Sequence, residues 1–161
     1  VDTTGLGTVG LFFFCYSTTA VVLRITLSWA PDRFGFTRVL YPVIFVQASG
    51  LFFLASAKSL TPFVIGAMLT GAGHAFLFPV LARLAVDRSP AEDRGSATGL
   101  YTSMFDIAIL VGGPLLGLTI ERSGYGAMYG AVGVAMILAT GGFALLERTG
   151  RTKAGQPVPA P

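Results

Sequence analysis

VGVAMILATGGFALL, residues 132–146, holds no charged residue and no alternation of apolar with polar positions. A strand of a membrane barrel alternates with a period of two. This run does not, so it reads as a helix that is apolar all round. Extended back to Tyr125, it reaches the roughly 20 residues that carry a helix across a bilayer core. The same signal recurs four more times toward the N-terminus. The predicted spans lie at about residues 8–29, 39–57, 62–86, 97–120 and 125–146. They are separated by Pro31-Asp32 with Gly35, by Lys58-Ser59, by the stretch SPAEDRG and by Ser123-Gly124. The tail, 148–161, is polar and proline-rich and reads as a disordered segment.

Composition supports the same class. Of the 161 residues 53% are hydrophobic and 12% charged, against about 25% charged in a soluble domain. Mean hydropathy is +0.71. One small core cannot hold that much apolar surface, so the bilayer is the solvent. The formal charge of +3 does not point to nucleic acid, because the basic residues sit at the ends of apolar runs and form no patch. Cys15 and His74 are the chain's single cysteine and single histidine. No internal disulfide and no metal cluster can be built from them. No cofactor and no catalytic residue is expected.

The basic residues also give a direction. Arg24, Arg33, Arg38, Arg83, Arg88, Arg94, Arg148, Arg151 and Lys153 cluster at the first turn, the third turn and the tail, leaving Lys58 and Arg122 on the other side. The positive-inside rule then places the C-terminus in the cytoplasm and the N-terminus outside. Five spans in that orientation, in a chain that begins with Val, suit the end of a longer protein.

Ionisable groups at membrane depth are functional candidates. At about 1.5 Å per helical residue, Arg24 lies ~12 Å above Asp32, His74 ~13–14 Å above Arg83, and Asp106 ~18 Å from Arg94. Each has a structural alternative: Arg24 snorkelling to the headgroups, and a neutral His74 bonded to a carbonyl. Asp106 must face water, a partner or a proton path, because a lone carboxylate in hydrocarbon is too costly. A His74–Asp106 pair is one arrangement these depths allow. Span two offers Gln47 and span five no charge, so spans one, three and four are expected to face a polar interior. Pro79 and Pro114 lie inside spans three and four, where a proline kinks a helix and frees a carbonyl. Gly113 with Gly117 and Gly126 with Gly130 have the spacing of close helix packing.

The segment LRITLSWAPDRFGFTRVL, residues 23–40, resembles the loop signature of the major facilitator superfamily, in outline Gly-x-x-x-Asp-Arg-x-Gly-Arg-Arg. Asp32, Arg33 and Gly35 match, and Arg38 falls where a further basic residue is common. Ser28, Phe36 and Thr37 depart from it. Residues 71–117 are similar to the tenth and eleventh helices of such transporters, through the Pro79 region, Arg94-Gly95, and Gly113-Pro114 with Gly117. The combination of PAEDRG with Tyr101, Phe105 and Asp106 is similar to drug, sugar and metabolite exporters.

The resemblance implies an all-α integral membrane protein, helices eight to twelve of a facilitator-type bundle. It implies secondary transport of a small solute, efflux coupled to protons, across a bacterial inner membrane, with a missing N-terminal half as partner. Asp32, Arg33, Gly35 and Arg38 would form a gating loop, and Arg24, His74 and Asp106 a transport or proton path. Two other classes stand beside it. One is a non-transporting membrane subunit or remnant. The other is an intramembrane hydrolase built on Ser49 and His74, which lacks an apparent oxyanion loop.

Overall fold

The structure is a computed structural model and describes residues 9–154, with side chains to Glu147. Among these residues there is no strand. The helices are α1 (Val9–Leu27), α2 (Ala30–Phe34), α3 (Phe36–Ala55), α4 (Leu60–Asp87) and α5 (Arg94–Ala154), with a 3-10 turn at Ala91–Asp93. Four of them are long and apolar enough to cross a membrane. Gly124 divides α5 into two arms, 94–123 and 125–154, each longer than the roughly 20 residues a crossing needs. The expected all-α membrane architecture is therefore what the chain forms. The tail predicted to be disordered is helical to Ala154, and the rest of it lies outside the described residues.

Two glycines make the reversals possible by conformation. Gly35 joins α2 to α3 at φ 89°, ψ 138°, and Gly124 bends α5 at φ 78°, ψ 172°. A residue with a Cβ rarely adopts either φ, although a Cβ would meet nothing within 4 Å at both sites. The polar stretch at 30–34, read from sequence as a turn, is a short helix. Pro31 sits in its first turn, where a missing N–H costs nothing, and the Arg33 N–H donates to the Trp29 carbonyl at 3.1 Å.

α4 is the central helix, and small residues let its neighbours approach. A Cβ on Gly71 would strike the backbone of Tyr16 in α1, with its Cα 3.0 Å away. A Cβ on Gly73 would lie 2.5 Å from Gln47 Cβ and 2.8 Å from its Cα, in α3. Gly50 and Gly66 meet Thr70 and Leu54 in the same way. Leu40, Ala75, Phe76 and Val80 form the buried cluster between α3 and α4, with Leu23 of α1 against it.

The arms of α5 behave differently. In the second arm, Gly126 approaches the Ala55 carbonyl at one end of α3, and Glu147 reaches Tyr41 at the other. This arm therefore runs antiparallel to α3. The first arm touches α4 through Phe78, whose ring meets Tyr101 at 5.3 Å and Phe105 at 5.6 Å. Gly112, Gly113 and Gly117 face open space. Among the described residues, nothing packs against Gly113 and Gly117, while Gly126 meets α3.

One end of the bundle is held by charge. Glu147 accepts from Arg88 Nη2 at 2.9 Å and from Tyr41 Oη at 3.1 Å, joining α5, the turn after α4, and α3. The Arg88 guanidinium also lies 5.3 Å over the Phe143 ring. Nearby, Arg83 pairs with Asp87 at 2.9 Å and sits 5.8 Å from the Phe36 ring.

Gly73→Ala should destabilise the bundle by about 1–3 kcal/mol, the usual cost of overpacking, read as a lower thermal midpoint in detergent. Gly95→Ala, where a Cβ meets nothing within 4 Å, should leave it unchanged. Equal midpoints for the two variants would refute this packing. Glu147→Ala should cost about 1 kcal/mol, kept small because the Arg88 side chain is half exposed. Part of that loss should already be present in wild-type protein at high salt.

Candidate functional site

The site begins with a missing donor. In a regular helix the N–H of residue 79 would donate to the carbonyl of Ala75. Pro79 has no N–H, so that carbonyl is released inside α4. Arg24 of α1 takes it, its Nε donating to the Ala75 oxygen at 3.0 Å. The Ala75 side chain is meanwhile fully buried in the α3–α4 core. The freed carbonyl and the cation of an apolar helix thus each satisfy a need of the other. Sequence reading singled out both Arg24 and Pro79. It did not join them, although the four-residue offset from Pro79 to Ala75 was readable.

The Arg24 guanidinium opens into a cleft of about 390 Å³, within the range of small-molecule sites. Ser28, Asp32 and the apolar side chains of Phe36, Phe78 and Pro79 are among its walls. Arg24 and Asp32 form no ion pair with each other, and neither makes any other among the described residues. Arg24 Nη1 and Nη2 donate to no acceptor among the described residues.

The rest of the predicted loop lies beside this cleft. Arg33 sits 5.6 Å over the Trp29 ring and 5.9 Å from the Phe34 ring, which hold it at the surface of α2. Gly35 supplies the positive φ that starts α3 immediately after α2. Arg38 is exposed and takes part in no described ion pair.

His74 and Asp106 are not brought together. The His74 ring neighbours Tyr16, centroid to centroid 5.6 Å, and the adjacent Gly73 is pressed by the Gln47 amide. Gln47 Oε1 is buried and accepts no hydrogen bond among the described residues. Asp106 stands exposed on the first arm of α5, beside Phe105 and without an ion pair or hydrogen bond there. Pro114 lies on the same arm, where its own freed carbonyl, that of Leu110, receives no described side chain. Ser49 and His74 make no catalytic pair, since the Ser49 hydroxyl donates to the Phe45 carbonyl at 2.8 Å within its own helix.

Sequence reading missed Tyr16, Phe78 and the Tyr41–Glu147–Arg88 contacts. For Glu147 a signal was present: it is the one acid at the C-terminal end of an otherwise uncharged span. For Tyr16 and Phe78, aromatic residues in an apolar run, there was none.

Comparison with known proteins agrees with this architecture. The family model described as Major Facilitator Superfamily matches residues 2–161. An uncharacterized MFS-type transporter of Salmonella typhimurium is 34% identical over 105 residues, covering 65% of this chain and 27% of the Salmonella protein. One of Pseudomonas aeruginosa is 33% identical over 122 residues, covering 76% and 30%. The uncharacterized MFS-type transporter YhhS of Escherichia coli is 31% identical over 127 residues, covering 76% and 31%. The matched part is thus under a third of each relative's length. No solved structure matches the chain. With its apolar helices, its Asp32-Arg33-x-Gly35 loop and a family match over almost its entire length, this chain belongs to the major facilitator superfamily.

Proposed function

We propose that these residues are helices eight to twelve of a secondary transporter, which moves a small drug, sugar or metabolite out of the cell in exchange for protons. The observation that carries this reading is the family match over residues 2–161, joined to a first α5 arm left open along most of its length. The chain spans less than a third of its relatives, and an N-terminal half would cover that arm. The C-terminus and the Arg33, Arg38, Arg88 and Arg94 end would lie in the cytoplasm of a bacterial inner membrane.

Transporters with repeated halves rock those halves around a midplane site. In that cycle α2 is the latch. Asp32, exposed on α2 and free of an ion pair, would meet the N-terminus of a helix in the other half, where the helix dipole favours a negative charge. Gly35 fixes the angle at which α2 is offered. Glu147, Arg88 and Tyr41 tie α3, the turn after α4 and α5 so that they rock together.

Asp106 would be the proton carrier. Ionised, it needs water or a partner; protonated, it enters an apolar contact at far lower cost. Protonation would therefore favour the state in which the opposing half closes over the first α5 arm. Arg24 and the cleft beneath it would be on the solute's route.

In the full-length transporter, Asp106→Asn should abolish transport driven by a proton gradient, by roughly tenfold or more, while solute exchange without a gradient persists. Proteoliposome flux with and without an imposed gradient measures both. Unchanged gradient-driven flux would remove Asp106 from the coupling step. Asp32→Asn should weaken closure of the latch and raise accessibility of the cytoplasmic side to a thiol reagent, measured on a cysteine introduced at Ser28. No substrate-dependent flux from the full-length protein would favour a non-transporting subunit.

A further inference from the structure

The cleft under Arg24 also bears on what is carried, an inference that rests on the transport reading. We propose that this cleft binds a monocarboxylate with an apolar body. Three observations converge on that class. First, the Arg24 guanidinium is pre-oriented. Its Nε is committed to the Ala75 carbonyl at 3.0 Å, which leaves Nη1 and Nη2 as the open edge of the fork. That edge matches the two oxygens of a carboxylate, and an anchored fork loses less freedom on binding than a loose one. Second, the remaining walls are chiefly apolar, with Phe36, Phe76, Phe78, Pro79 and Val80 around a volume of about 390 Å³. A ring or short aliphatic chain fits there, and a polyhydroxylated sugar would leave its hydroxyls without partners. Third, Asp32 lines the same cleft without pairing Arg24. Its carboxylate adds repulsion for every further negative charge on the ligand, so dianions are disfavoured relative to monoanions.

Pro79 is the positioning residue in this scheme. It touches the ligand space, and it also creates the acceptor that holds Arg24 in place. Restoring an N–H at position 79 would let the helix reclaim the Ala75 carbonyl and release the guanidinium.

Binding can be measured separately from transport. The full-length transporter in lipid nanodiscs is titrated by calorimetry with phenylacetate, benzylamine, phenylmalonate and phenylalanine. Phenylacetate should bind, benzylamine should not, and phenylmalonate should bind at least tenfold more weakly than phenylacetate. Arg24→Gln should weaken phenylacetate binding tenfold or more. Pro79→Ala, which keeps every charge and favours a regular helix, should weaken it about three- to tenfold. Asp32→Asn should narrow the gap between phenylmalonate and phenylacetate. Phenylacetate binding unaltered by both Arg24→Gln and Pro79→Ala would overturn the proposal, as would tighter binding of benzylamine or phenylalanine than of phenylacetate. If Arg24→Gln does not fold, Pro79→Ala and Asp32→Asn decide the matter by themselves. Should phenylacetate bind as expected while no solute crosses in proteoliposomes, the transport reading fails and the cleft assignment stands. Should transport of other solutes proceed with no phenylacetate binding, the reverse holds.

Discussion

A backbone carbonyl without a donor costs several kcal/mol in a bilayer, where water cannot supply one. Pro79 imposes that cost on Ala75, in the middle of the helix that α1, α3 and α5 all touch. The Arg24 side chain, itself costly in hydrocarbon, removes it. The pairing fixes where the end of α1 must lie against α4, and thereby where α2 begins and where a cleft remains between them. The anchored cation and the placement of α2 follow from a single exchange between two groups that would each be unfavourable alone.

Around that point the bundle divides by how its contacts are made. α1, α3 and α4 approach backbone to backbone over Gly50, Gly66, Gly71 and Gly73, and in a lipid environment such close packing is the main source of helix association. The second arm of α5 joins them through Gly126 and, at the charged end, through Glu147. The first arm has Phe78 as its meeting point with α4 and exposes Leu110, Val111 and Leu115 more than half. An apolar surface of that extent is stable against lipid or another helix layer and would aggregate in water.

Much of the fold was legible because the bilayer leaves few choices. Helix class and the reversals at Gly35 and Gly124 follow from run length, composition and glycine placement. The short helix α2 was not legible, since a prolyl first turn and a surface turn look alike over five residues. Depth was readable but facing was not. Counting residues placed His74 and Asp106 at similar heights, yet they do not meet, because rotation about a helix axis depends on which neighbours crowd it. The glycines of α4 set that rotation, and a glycine in an apolar run does not announce what it touches. Arg24 was recognised as a candidate, whereas its partner is a main-chain atom, which no side-chain pattern marks.

The reversals are also unequal in size. At the end that carries Arg88 and Glu147, α2 and the 3-10 turn at Ala91–Asp93 stand between the long helices. At the opposite end α3 passes to α4 through Ser56–Ser59, and the two arms of α5 are separated by Gly124 alone. Among the described residues, one end therefore carries folded connections and the other short ones. A change in connection length at the end that carries Arg88 and Glu147 would therefore disturb ordered backbone that the opposite connections do not contain.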